Sequence, residues 1–307
     1  MAFKRYSISA KAGSRNNRAA FTGGLNMKQV LEAKRENEAV SLISGISYAN
    51  RICWFDATRR DRKMDVLCPK MRTGHAPCPG IVWVCGGGFY TTDRSVWIPQ
   101  LVGYARAGYV VASIEYSLTS EYHFPDPLID CKEAIRYLRA HADAFCLDAS
   151  RIFIMGESAG GTLASLTGVT NGRPEFEKGD FLEFSSDVAG VVDFYGVTQF
   201  PPHPVRHGIN VPYWWTTEAF LGAGYGPAEA ACASAASYIS AKTPPFMILH
   251  GTEDQIVDIA QSRSFYEKLT AAGVRAEYLE LQGASHGDDA FYQPAVEQKI
   301  LDFLASV

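Results

Sequence analysis

Arg151-Ile152-Phe153-Ile154-Met155-Gly156-Glu157-Ser158-Ala159-Gly160-Gly161 is the stretch whose reading decides the fold. Ile152–Met155 is a short, continuous apolar run, the pattern of a strand buried on both faces. Gly156 to Gly160 then spells G-x-S-x-G, and the small-residue segment Thr162–Val169 after it has helical character. Strand, tight turn and helix in that order make a nucleophile elbow. The turn forces its serine into strained backbone angles, and the flanking glycines remove the Cβ clashes that would forbid them. The hydroxyl of Ser158 is thereby held out at the sheet edge, and the new helix aims its N-terminal N–H groups at the same point.

Working outward, the rhythm of the elbow repeats. Short apolar runs recur at Ile81–Cys85, Tyr109–Ile114, Val188–Phe194, Phe246–Leu249 and Ala276–Leu281. Helical patterns at Leu128–Ala144, Ala260–Ala272 and Ala295–Leu304 lie between or after them, an alternation that argues a parallel sheet covered by helices on both faces. Upstream, Ile52–Thr58 and Lys63–Cys68 read as an antiparallel hairpin whose turn is the charged Arg59-Arg60-Asp61-Arg62. Met27–Val40 reads as a short helix, and the polar first 25 residues as a flexible arm before a single domain over 26–307. The sum is an α/β fold with a mostly parallel sheet of about eight strands. Residues 196–243 break the alternation with Pro, Gly and aromatics; an insertion of that length is expected to be functional, a cap over the edge where open α/β sheets bind ligands.

A serine nucleophile needs a base, the base an orienting carboxylate, and the developing oxyanion a set of donors. Cys85-Gly86-Gly87-Gly88-Phe89 follows the run Ile81–Val84, and glycines there let backbone N–H groups approach an anion. Losing one such donor costs about 3–4 kcal/mol of barrier. His286 stands in the small-residue loop Gly283-Ala284-Ser285-His286-Gly287, after the run Ala276–Leu281. Gly251-Thr252-Glu253-Asp254 follows Phe246–Leu249, and Asp254 is the expected carboxylate, with Glu253 the alternative. The chain order is then Ser, Asp, His. His250 reads as a structural hydrogen-bonder at a strand end and Asp258 as a solvated residue at a helix start.

Composition excludes several other classes. Twenty-nine basic against 33 acidic residues give a net charge of −4, which argues against nucleic acid or an anionic membrane as partner. No apolar stretch reaches membrane-spanning length. Seven dispersed cysteines without a CxxC pair read as reduced thiols, and no signal-peptide pattern opens the chain, so a cytoplasmic location is expected. Histidines, carboxylates and cysteines lack metal-ligand spacing, and the glycine-rich segments fit neither nucleotide fingerprint, so neither metal nor cofactor is expected.

From about Lys63 onward the chain resembles α/β-hydrolase esterases with HGGG and GxSAGG motifs, related to the hormone-sensitive-lipase type. It is most similar to the bifunctional feruloyl and acetyl-xylan esterase family. Phe124-Pro125, Leu147-Asp148, Gly156–Gly161, Val188–Gly196, Pro244-Pro245-Phe246, His250–Asp254, Gln261-Ser262 and Ser285-His286-Gly287 carry the resemblance. It implies a serine carboxylic-ester hydrolase acting through an acyl-enzyme on short-chain or carbohydrate-linked acetyl or feruloyl esters. Ser158 is then nucleophile, His286 general base and acid, and Asp254 orienting carboxylate. Gly87, Gly88 and Ala159 are the implied oxyanion donors. The chain departs from the pattern at Cys85, where the family usually carries a His that braces the oxyanion loop; a thiol hydrogen-bonds only weakly. Tyr213, Trp214 and Trp215 suit stacking on a sugar or aromatic acyl group, or fastening of the cap, and Phe89 and Tyr90 the lining of the same pocket. Two rival readings use the same fold: a serine peptidase of the prolyl-oligopeptidase type, and a non-catalytic binding protein.

Overall fold

The computed structural model describes residues 39–53, 58–69, 76–204 and 214–307. The expected N-terminal arm and most of the expected helix Met27–Val40 lie outside them. Val40, where that helix was to end, instead begins a strand.

Strands β1 (Val40–Cys53), β2 (Thr58–Pro69), β3 (Cys78–Val84), β4 (Val110–Ile114), β5 (Leu147–Glu157), β6 (Val191–Phe194), β7 (Phe246–Gly251) and β8 (Ala276–Leu281) form one sheet. Their order is β1-β2-β4-β3-β5-β6-β7-β8. β1 and β2 are an antiparallel pair, β2 joins β4 antiparallel, and every pair from β4 to β8 is parallel. The mostly parallel, eight-stranded α/β-hydrolase sheet read from the sequence is therefore present.

The hairpin is longer than its sequence suggests. Arg59–Arg62 are not a turn; they are strand residues of β2 paired with Ile52 to Ala49 of β1. The cause is tertiary: Arg62 is only 7% exposed, donates to Ser117 Oγ at 3.2 Å and lies 3.7 Å from Asp130. A charged run that looks solvated is here partly buried against the domain.

Helices α1 (Ile98–Arg106), α2 (Asp126–Ala140), α3 (Ala142–Phe145), α4 (Ala159–Val169), α5 (Trp214–Leu221), α6 (Pro227–Cys232), α7 (Ala260–Ala271) and α8 (Pro294–Ala305) connect the strands. Two apolar clusters fill the two faces of the sheet. One contains Leu128, Ile135, Leu163 and Phe265 from α2, α4 and α7; the other contains Leu101, Tyr104, Ile300 and Phe303 from α1 and α8. Alternate residues of β3 separate between them, Val82 and Val84 into the first, Ile81 and Trp83 into the second. That division is what strands buried on both faces require. β5 sits at the centre of the sheet between β3 and β6, so Ser158 at its end is held by the most enclosed part of the fold. α5, α6 and the turn Ala235–Ser237 lie between β6 and β7, within the stretch that breaks the alternation.

Candidate functional site

The carboxyl ends of β3, β5, β6, β7 and β8 lie side by side, and the loops that leave them build the site. Ser158 ends β5 with φ 55° and ψ −120°, and its amide donates to Phe194 O at 2.9 Å. Such a backbone is costly for a side chain, and close packing keeps it in place. A Cβ on Gly160 would stand 2.6 Å from the carbonyl carbon of Val84 and 2.8 Å from that of Cys85. Only glycine lets α4 begin this close to the end of β3.

His286, in the loop after β8, brings Nε2 to 2.9 Å from Ser158 Oγ. Its Nδ1 lies 2.7 Å from Asp254 Oδ2. The Asp254 side chain is fully buried; its Oδ1 accepts from the amides of Ile256 and Val257 at 2.8 and 2.9 Å. His250 Nε2 reaches Asp254 Oδ2 at 3.2 Å and Val257 O at 3.0 Å, while its Nδ1 meets Ser262 Oγ at 2.7 Å. Burial alone would push the Asp254 carboxyl up, but His250, His286 and the Val257 amide outweigh it and hold it well below the usual carboxylate range. Glu253 is exposed, and its amide donates to Ala284 O at 3.0 Å, so of the two candidate acids Asp254 is the one that meets the imidazole. Asp258 is exposed and accepts from the Ala260 amide at 2.9 Å, at the start of α7.

Gly87 and Gly88 take φ of +123° and +61°, a left-handed backbone that favours glycine. Among the described residues, the amides of Gly87, Gly88 and Ala159 donate to no protein acceptor. Cys85 is buried, with Sγ 3.3 Å from Asp93 O, and burial pushes its thiol up to about 12. Its carbonyl accepts from Tyr116 OH at 3.1 Å.

Phe89 is packed inward, stacked on Phe220 of α5 at 3.9 Å, whereas Tyr90 is 49% exposed. Thr216 of α5 packs close over Gly88. Trp214 and Trp215 open α5. Tyr213 and the side chains of both tryptophans lie outside the described residues.

Three neighbours of the site escaped sequence reasoning. The Tyr195 ring lies 4.6 Å from the His286 ring, Trp97 stacks on Tyr292 at 4.5 Å, and the Glu157 carboxylate accepts from the Gly86 amide. Nothing in local spacing marks Tyr195 or Trp97. Glu157 stood inside the motif, but its partner is 71 residues away. Burial pushes the Glu157 carboxyl up, a rise that hydrogen bonds from Gly86 and Trp97 only partly oppose.

A mostly parallel sheet whose central strand ends in a strained serine, in contact with an imidazole backed by a carboxylate, is an α/β-hydrolase fold. More narrowly, the chain belongs to the BD-FAE family, whose model matches residues 64–269. It is 32% identical over 231 residues to a probable carboxylic ester hydrolase, LipM, of Mycobacterium tuberculosis, covering 71% of this chain and 50% of that protein. The chain thus spans about half the length of the curated relatives it matches. Among solved structures it is similar to a truncated carbohydrate esterase from gut microbiota, at a TM-score of 0.75 and 22% identity over 89% of this chain and 98% of that one. It is also similar to the butyrate-bound esterase Est2 of Thermogutta terrifontis, at a TM-score of 0.65 and 27% identity over 80% and 88% of the two chains.

Proposed function

We propose that the chain is a carboxylic-ester hydrolase working through an acyl-enzyme on Ser158. The carrying observation is the continuous contact from Ser158 Oγ to His286 Nε2 at 2.9 Å and from His286 Nδ1 to Asp254 at 2.7 Å. In this reading Ser158 Oγ bonds to the ester carbonyl carbon while His286 takes its proton and the carbonyl electrons move onto oxygen. The amides of Gly87, Gly88 and Ala159, which have no acceptor among the described residues, are suited to receive that oxyanion. Collapse expels the alcohol, protonated by His286. Water, deprotonated by the same imidazole, then attacks the acyl-enzyme, and the acyl–oxygen bond breaks as His286 returns the proton to Ser158 Oγ and the acid leaves. Asp254, ionised through the whole cycle, fixes the imidazole tautomer and balances the imidazolium.

For the acyl group, the butyrate-bound Est2 and the carbohydrate esterase among the similar structures favour short-chain or carbohydrate-linked acids. Acetyl and feruloyl esters of polysaccharides are the corresponding natural class. The segment 196–243, whose α5 packs Thr216 over Gly88 and Phe220 against Phe89, is assigned as the cap that bounds the acyl side.

Initial rates on p-nitrophenyl acetate and butyrate, acetylated xylan and methyl ferulate, with a peptide amide as control, test the reading. Ester turnover is expected, falling by about four to six orders of magnitude in Ser158→Ala with the thermal midpoint nearly unchanged. Retained turnover in that variant would remove the serine from the mechanism.

A further inference from the structure

The oxyanion loop has no side chain of its own at Gly86, Gly87 or Gly88 with which to hold a shape. Its carbonyls are restrained: Tyr116 OH donates to Cys85 O at 3.1 Å, and the Tyr90 and Thr91 amides donate to Gly87 O at 3.0 and 3.2 Å. Of its amides, that of Gly86 is tied, and the tie is the Glu157 carboxylate. A second donor, Trp97 Nε1, meets the same carboxylate at 3.3 Å. Trp97 is in turn clamped between Tyr292, stacked at 4.5 Å, and Trp83, edge-on at 6.3 Å. The fit at Gly86 is close: a Cβ there would stand 2.5 Å from Glu157 Oε2 and 2.7 Å from its carboxyl carbon.

Glu157 is 8% exposed, so its carboxyl has given up most of its water. An acid in that position also lies beside the point where negative charge would develop, which opposes catalysis electrostatically. An apolar side chain would fill the same space without either penalty. What it would not do is accept the Gly86 N–H. Without an acceptor for its N–H, the Cys85–Gly86 peptide keeps only the Tyr116 hydrogen bond on its carbonyl, and the two peptides after it carry the donors.

We propose that Glu157 is a positioning residue that fixes the Gly86 peptide, and through it aims the Gly87 and Gly88 amides at the oxyanion. The role rests on the ester-hydrolase reading above. It also accounts for a loop that keeps its shape with a thiol at position 85, because the brace comes from the elbow instead.

The test compares Glu157→Met, which fills the space but accepts no hydrogen bond well, with Glu157→Gln, whose amide oxygen can serve both donors. On p-nitrophenyl acetate, Glu157→Met is expected to lose about 10- to 100-fold in kcat with KM changed less than about threefold, and Glu157→Gln to recover to within about fivefold of wild type. An aryl trifluoromethyl ketone supplies a second readout. Ser158 Oγ adds to its carbonyl carbon, the proton passes to His286, and the electron pair settles on oxygen as an oxyanion. Its inhibition constant should weaken in Glu157→Met by the same factor as kcat/KM. Equal kcat in the Met and Gln variants, or an inhibition constant that does not follow kcat/KM, would overturn the proposal. Wild-type chain that hydrolyses no ester would sink the functional reading itself, whereas active wild type with an equally active Glu157→Met sinks only this inference.

Discussion

Two flanks of the sheet bury carboxylates, and they surround them differently. Beside the hairpin, Asp130 and Glu133 of α2 meet cations. Arg51 contacts both, and Asp130 also accepts from the Ser117 amide at 2.6 Å. On the same helix, the fully buried side chains of Lys132 and Arg136 reach Glu177 at 3.0 and 2.6 Å. At the strand ends, Glu157, Asp193 and Asp254 have no lysine or arginine partner among the described residues. Their donors are amides, a hydroxyl, an indole and imidazoles. Ion pairs fix geometry through the attraction of opposite charges. Carboxylates held by neutral donors have acidities set by the balance of burial and hydrogen bonds, and the balance differs at each. Burial pushes Asp193 up to about 6, against bonds from Ser165 Oγ at 2.8 Å and the Gly196 amide at 2.9 Å, while Asp254 is held well below the usual range.

The comparison breaks most visibly at Asp254. Asp254→Asn keeps the shape but removes the charge that complements the imidazolium; ester turnover should fall about 10³- to 10⁴-fold with a small change in thermal midpoint, measured by steady-state kinetics beside a melting curve. The cation-paired flank should respond in the opposite sense. Asp130→Ala leaves Arg51 and Arg62 short of a partner and should cost about 3–5 kcal/mol in chemical denaturation, while kcat per folded molecule is retained. A fall in kcat there, with stability preserved, would erase the distinction between the two flanks.

The smallest effect belongs to Asp193, and it depends on pH. Its folded acidity near 6 lies above the ordinary value of 3.8, so the native state favours the protonated form. That contribution is present below about pH 4 and is lost as pH rises towards 6. Asp193→Asn, which is neutral throughout, should therefore gain about 1–3 kcal/mol over wild type at pH 7 and little at pH 4. Asp254 works the other way: its contribution is complete above the ordinary carboxylate value and disappears as acid protonates it. Thermal midpoints of wild type and Asp193→Asn from pH 4 to 7 sharpen the contrast, and parallel curves would contradict it.

Much of the parallel half was legible because its signals are local. The runs around Ile81, Tyr109, Ile152, Phe246 and Ala276 all fall in strands, and α4, α7 and α8 start and end within a few residues of their patterns. α1 was not read: Pro99 and Gly103 weaken its helical signal. Its stability comes from burying Leu101, Tyr104 and Ala105, and Gly103 sits where a Cβ would crowd Glu297 of α8. The hairpin turn was misplaced for the same kind of reason. The charged run Arg59–Arg62 reads as a turn until Asp130 and Ser117, far along the chain, are brought beside Arg62.

By itself the sequence determined the bend that carries Ser158, since that bend needs only a strand, a helix and glycines where a Cβ has no room. It also determined the order in which His286 and Asp254 follow. Folding alone decided that Tyr195 lies against His286 and that Glu157 grips Gly86. Those contacts join residues tens of positions apart, and a periodic pattern records which face a residue turns to the core but not which distant partner waits there.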